Sequence, residues 1–152
     1  MMNREGVIYV GTCDASGVPN ISPRTAFIIT DDDSLLWCLW FKHKTYRNQS
    51  DNNHVCVAVV DSTKLEGYQL KGHTEYITDQ DQIMNIMQQT IMKSRHANFN
   101  KMVQSQLHDP PLIVRFILEE VYSLAPMESS REPIQISSER RAEKIIRSQN
   151  QI

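Results

Sequence analysis

The stretch Leu35 to Arg47, LLWCLWFKHKTYR, constrains the fold more than any other part of the chain. Leu35 to Phe41 is an apolar, aromatic-rich run of strand length. It gives way abruptly to Lys42, His43, Lys44 and Thr45, and then to a polar segment compatible with a short helix. A strand that feeds a helix start leaves unpaired backbone N–H groups and a partial positive charge at the junction, here with Lys44 and the Thr45 hydroxyl beside them. Such a junction suits an anion, and a phosphate best. A plainer reading stands next to it: Thr45 merely caps the helix, and Lys42 and Lys44 are solvated surface charges.

The chain has 152 residues, 40% hydrophobic and 22% charged, which suits one globular domain with a sizeable core. A net charge of −2 and a pI near 6.2 argue against a nucleic-acid binder, and any basic patch is local. No apolar run approaches the roughly 20 residues that span a bilayer, and the opening MMNREG has no apolar signal region. A soluble, cytoplasmic protein is the expectation. Cys13, Cys38 and Cys56 are odd in number, lie in apolar runs and lack metal-type spacing, so they read as reduced core thiols.

In chain order, Val7 to Cys13 reads as a strand ended by the turn Asp14-Ala15-Ser16-Gly17. A second strand runs from about Val18 to Thr30. Pro19 and Pro23 remove two backbone donors from it, so it should be an edge, bulged, or interrupted near its start. Ser22, Arg24 and Thr25 sit where its free backbone groups can turn to a ligand. Asp31-Asp32-Asp33-Ser34 reads as a solvated turn, since the acids and glycine of an EF-hand do not follow. Tyr46 to Asn53 makes a short helix, and Val55 to Val60 a strand buried on both faces in the middle of the sheet. Asp61 to Gly67 is a loop and Tyr68 to Ile77 a strand, with Gly72 marking a bulge. His73 and Glu75 share one face of it; no third ligand is placed for a metal, and an exposed polar face is the better reading.

From Asp79 the period changes to about 3.6: Asp79 and Gln82 form a capping pair, and Ile83, Ile86, Met87, Thr90 and Ile91 mark one face of an amphipathic helix. Met84, Met87 and Met92 read as core filler. Ser94 to Leu107 continues as helix, Leu112 to Leu118 is the last strong strand, carried on to Leu124, and Pro126 closes the compact part. Residues 127–152 form a polar tail, a linker and then a charge-rich segment, disordered or docked on a neighbouring surface such as a second subunit. About six strands around a long helix pair result, and closing the sheet into a small barrel hides its edges.

The order of DASGVPNISPRTAF, LLWCLWFKHKT, HVCVAVV, GYQLKGHTEYI and VRFILEEVYSL resembles the pyridoxamine 5′-phosphate oxidase-like, FMN-binding split-barrel family. The resemblance covers Val7 to Leu124 and implies a mainly β fold with helices, an antiparallel Greek-key split barrel. Relatives that begin with a helix differ from this chain, in which a few residues precede the first strand. By this resemblance Arg24, Thr25, Lys44 and Thr45 face the FMN phosphate; His43, beside them at the helix start, reads as a capping or phosphate neighbour, with a proton donor as the alternative. A guanidinium fork, an amine and a hydroxyl then converge on one dianion. The isoalloxazine lies along Trp40 and Phe41, touches main-chain groups of Thr25, Ala26 and Phe27, and has Gln69 near a ring edge. For Trp37 and Trp40, core packing is the competing reading.

The family places its flavin between two subunits, which implies a homodimer. The implied activity is FMN-dependent oxidoreduction of a small substrate with NAD(P)H or another donor. A flavin-binding electron carrier or redox sensor is one alternative, and a relative that binds heme or a deazaflavin is another. No catalytic constellation is legible. The chain's end, RSQNQI, does not match the basic C-terminal segment of pyridoxamine phosphate oxidase proper, so vitamin B6 oxidation is not expected.

Overall fold

The structure is a computed structural model and describes residues 7–32, 34–93, 101, 111–126 and 132–137. Its strands are β1 (Ile8–Cys13), β2 (Pro19–Arg24), β3 (Ile28–Ile29), β4 (Leu35–Leu39), β5 (His54–Asp61), β6 (Glu66–Ile77), β7 (Leu112–Ser123) and β8 (Gln135–Ile136). The helices are α1 (Lys44–Asp51) and α2 (Gln80–Lys93). All strand pairs are antiparallel, in the order β2-β1-β5-β6-β7-β4-β3, with β8 beside β7. The first and last strands of this path, β2 and β3, are consecutive in the chain and joined only by Thr25, Ala26 and Phe27. Four Cα steps cannot span more than about 15 Å, so the sheet must curl until its two ends nearly meet. The result is a split barrel whose seam is bridged by a covalent link.

The barrel interior is filled by alternate residues of the strands, with Trp37 and Phe116 the largest fully buried side chains, ring centroids 6.4 Å apart. Each such side chain contributes about 1.5–3 kcal/mol by leaving water. A second, smaller cluster of Ile28, Leu36, Cys38, Ile86 and Ile113 lies outside the barrel, where α2 covers β4 and β7. The Asp79 carboxylate accepts from the Gln82 backbone N–H at 2.8 Å and starts α2 as its sequence predicts. Among the described residues no helix is long and apolar enough to cross a membrane.

Several expectations need correction. The second strand is two: β2 is an edge, as its prolines require, but the break falls at Thr25–Phe27, after Arg24, and throws β3 to the opposite edge. Val55 to Val60 does lie inside the sheet, between β1 and β6, yet its burial alternates and Val60 is 46% exposed. The strand covered on both faces is β4, because α2 packs on its outer side. Of the three free cysteines only Cys38 is buried; Cys13 and Cys56 are half-buried, off the barrel interior. Part of the tail is ordered by β8, which pairs Gln135 and Ile136 with Val121 and Glu120. Counted with it, the sheet has eight strands rather than six. The expected helix over Ser94 to Leu107 lies outside the described residues except at Lys101.

The bulge at Gly72 is present: the β6–β7 register slips between Lys71 and Gly72. A Cβ on Gly72 would stand 2.0 Å from the Ile117 carbonyl oxygen, whereas Gly17, at φ 82°, has nothing within 4 Å of that position. Gly72→Ala is therefore expected to destabilise by about 3 kcal/mol, through backbone displacement. Gly17→Ala costs about 1 kcal/mol, from left-handed strain alone. Urea midpoints of the two variants check the order, and equal losses would contradict the tight strand approach at Gly72.

Candidate functional site

The seam between β2 and β3 opens into a cavity of about 660 Å³, within the range of small-molecule sites. Its polar end is built by β2 and α1. Along β2, Asn20, Ser22 and Arg24 alternate onto the inner face, in register with the buried Thr12, Val10 and Ile8. Opposite them, α1 begins at Lys44 with His43 as N-cap, and His43 supplies no side-chain cap. The Arg47 N–H bonds the His43 carbonyl at 3.1 Å, so the N–H groups of Lys44, Thr45 and Tyr46 have no intrahelical acceptor. The first turn contains no acidic residue. It is an uncapped positive helix end facing a cavity.

A buried polar network fixes this end. The Asn20 amide donates to Thr45 Oγ1 at 3.3 Å and lies 3.4 Å from Thr12 Oγ1, while the Asn48 amide donates to Thr12 Oγ1 at 3.1 Å. The Ser22 and Thr45 hydroxyls are 3.1 Å apart. Thr45, Asn48 and Thr12 are all buried, so these bonds fasten α1 to β1 and β2 where water cannot compete. Thr45 is thus not the cap that the plainer reading of the sequence made it. It sits one residue inside the helix, and its hydroxyl meets Ser22.

Arg24 decides the electrostatics. Its guanidinium donates to the Pro23 carbonyl at 2.9 Å, but Nε is buried without an acceptor. Among the described residues no carboxylate pairs with it. Burial lowers its pKa from the ordinary value, as expected of a cation withdrawn from water without a counter-charge. Lys44 and Arg47 line the same cavity and are exposed. Three cationic side chains therefore border one cavity whose described lining includes no acid.

The other end is apolar. Leu39, Trp40 and Phe41 follow β4 into the cavity wall, and Phe41 stacks on His43 with centroids 5.5 Å apart and planes 11° from parallel. Cys38 of β4 and Thr90 of α2 complete the wall. Of the residues singled out in the sequence, Arg24, Thr25, Ala26, Trp40, Phe41, His43, Lys44 and Thr45 line this cavity together. Phe27 instead packs against the barrel core, and Trp37 belongs wholly to that core. Gln69 lies on β6 opposite Ala58 and Tyr122, outside this cavity.

Asn20, Arg47, Cys38, Leu39 and Thr90 also line the cavity but were not singled out. Asn20 carried a signal, since it falls in step with Ser22 and Arg24 at the strand period. Thr90 carried none, because a threonine on the apolar stripe of a helix reads as core.

Burial pushes the Cys38 thiol up to about 11, against a smaller opposing effect of the Thr90 hydroxyl. At pH 8 the native protein should expose no Cys38 thiolate. A thiol reagent should modify Cys13 and Cys56 first and reach Cys38 only on unfolding or as the pH nears 11, as peptide mass spectrometry would read. Early labelling of Cys38 would contradict its burial.

Comparison with known proteins bears on what the cavity is for. The sequence profile of the pyridoxamine 5′-phosphate oxidase family matches residues 1–125. A search of curated proteins found no match. Solved structures share the fold. HupZ of Group A Streptococcus is 23% identical, with TM-score 0.60, covering 82% of this chain and 90% of its own. A Clostridium acetobutylicum protein related to general stress protein 26, of the pyridoxinephosphate oxidase family, is 18% identical, with TM-score 0.63, covering 85% and 86%. HutZ, the heme storage protein of Vibrio cholerae, is 17% identical, with TM-score 0.53, covering 78% and 86%.

Proposed function

Because the chain belongs to the pyridoxamine 5′-phosphate oxidase family, we propose that its cavity binds FMN, phosphate at the β2–α1 end, and serves a flavin-dependent oxidoreduction of a small substrate. The observation that carries this reading is the half-buried Arg24 guanidinium, whose buried Nε is unmatched and which no carboxylate among the described residues pairs, beside an uncapped helix start. A dianion supplies the missing counter-charge, and the Arg24 fork, the Lys44 amine and the α1 N–H groups supply its donors. Thr45, to which Asn20 donates, and Ser22, whose hydroxyl meets that of Thr45, add two hydroxyls to the same end. Trp40 and Phe41 offer flat apolar surface to the ring. When bound, FMN supplies the electron or hydride transfer. The protein's part is to hold the ring, exclude water and leave one face for substrate.

A second copy of the chain completes the site in this proposal. The outer face of β2, β1 and β5 carries Ile21 at 73%, Tyr9 at 45% and Val60 at 46% exposure, with Pro19 and Pro23 between them. An apolar face of this kind marks an interaction surface. Gln69 faces outward on the neighbouring strand, toward such a partner.

The second reading is heme. It is favoured by the likeness to HutZ, and His43 is the histidine on the cavity wall. The heme reading puts iron near His43; the FMN reading puts phosphate at Arg24.

Absorption spectra of the protein mixed with each cofactor separate the two. Flavin bands that co-elute on gel filtration are expected, and a Soret band with no retained flavin would overturn the FMN reading. Arg24→Gln should raise the Kd for FMN by about 1.5–3 kcal/mol in binding free energy. Lys44→Ala should weaken it less, because Lys44 is exposed. Fluorescence titration reads both, and an unchanged Kd in Arg24→Gln would exclude the phosphate from that end. Ile21→Glu should turn a dimer into a monomer in light scattering; an unchanged mass would remove this face from the interface.

A further inference from the structure

We infer that His54 and His73 form a site for a divalent transition-metal ion on the outer surface of the barrel, separate from the cavity and independent of the FMN reading. The two histidines are direct partners on β5 and β6, so both side chains leave the same face of the sheet. Their ring centroids lie 6.5 Å apart with planes 53° from parallel. Two imidazoles bound to one tetrahedral ion through bonds of about 2.0–2.1 Å hold their centroids roughly 5 Å apart. His54 is exposed, and rotation of its side chain closes that gap at little cost.

His73 is oriented for this role. Its Nδ1 lies 2.7 Å from Glu119 Oε1, which assigns that nitrogen to the carboxylate and leaves the Nε2 lone pair for a ligand. Carboxylates commonly hold metal-binding histidines in this way. Glu119 reaches His73 because of the bulge. Gly72 pairs with Leu118 and Lys71 with Glu120, so Glu119 is the extra residue of β7. The two strands approach so closely there that only glycine fits at position 72. Bulges re-aim side chains, and this one aims a carboxylate at a histidine.

The surrounding charges permit a cation. Glu75 is exposed two residues along the same face of β6. Lys71, the neighbouring cation, has its ammonium 4.5 Å over the Tyr122 ring. Among the described residues no three His, Cys, Asp or Glu side chains form a full cage, so water completes the coordination. Paired imidazoles suit Zn²⁺, Cu²⁺ or Ni²⁺ rather than Ca²⁺ or Mg²⁺.

The test is calorimetric titration of the tag-free protein with zinc chloride. One ion per chain is expected, with a Kd in the micromolar range. His54→Ala and His73→Ala should each weaken binding at least about tenfold, and Glu119→Gln by about 10–100-fold. His54→Asn and His73→Gln keep the test open should an alanine variant fail to fold, which circular dichroism without metal reveals. Cys56→Ser, two residues along β5, should bind zinc like the parent chain. Absence of saturable binding, its survival in either histidine variant, or its loss in Cys56→Ser would overturn the site and leave His73–Glu119 as an ion pair alone.

Discussion

The architecture depends on one covalent constraint: the two strands that end the sheet are neighbours in the chain. With only Thr25, Ala26 and Phe27 between β2 and β3, the other strands must be laid down as a curl rather than a flat ribbon. Right-handed strand twist favours the same curvature. No hydrogen-bonded ladder closes the seam among the described strands. Backbone groups of Thr25 and Ala26, and the side chains around them, are thereby left at the mouth of a cavity instead of inside a sheet.

Around that seam the chain separates two kinds of burial. Below it, Trp37, Phe116 and the aliphatic strand residues make an ordinary apolar core. Beside it, the buried Thr12, Thr45 and Asn48 and the half-buried Asn20 make a polar cluster whose members hydrogen-bond one another. The first holds the barrel together, and the second fixes α1 on β1 and β2, which determines where the helix start points. Arg24 is the odd member, half-buried yet charged, with its buried Nε short of an acceptor. A charge left so costs stability unless a ligand completes it. That imbalance distinguishes the cavity from a packing defect.

Much of this was legible in the residues. The switch from LLWCLWF to KHKT located the strand-to-helix junction, the two prolines located the edge strand, and Gly72 located the bulge. The helix over Gln80–Lys93 followed from its apolar period and Asp79. Other features were not readable because they are set by distant partners. Whether β4 or β5 is covered on both sides depends on where α2 docks, and both strands are continuous apolar runs in sequence. The break after Arg24 carries no proline or glycine, so local chemistry did not announce that β3 leaves β2 for the far edge. Likewise His73 read as an exposed polar residue because its partner Glu119 lies 46 residues away.

The claim at the centre is that Arg24 and the start of α1 await a phosphate. Comparing the affinities of FMN and riboflavin for the same protein tests it most directly, since the two ligands share the ring and differ in that group. The account predicts that FMN binds at least about a hundredfold more tightly, a difference of roughly 2.7 kcal/mol, and that Arg24→Gln removes most of the gap. Equal affinities for FMN and riboflavin would contradict it.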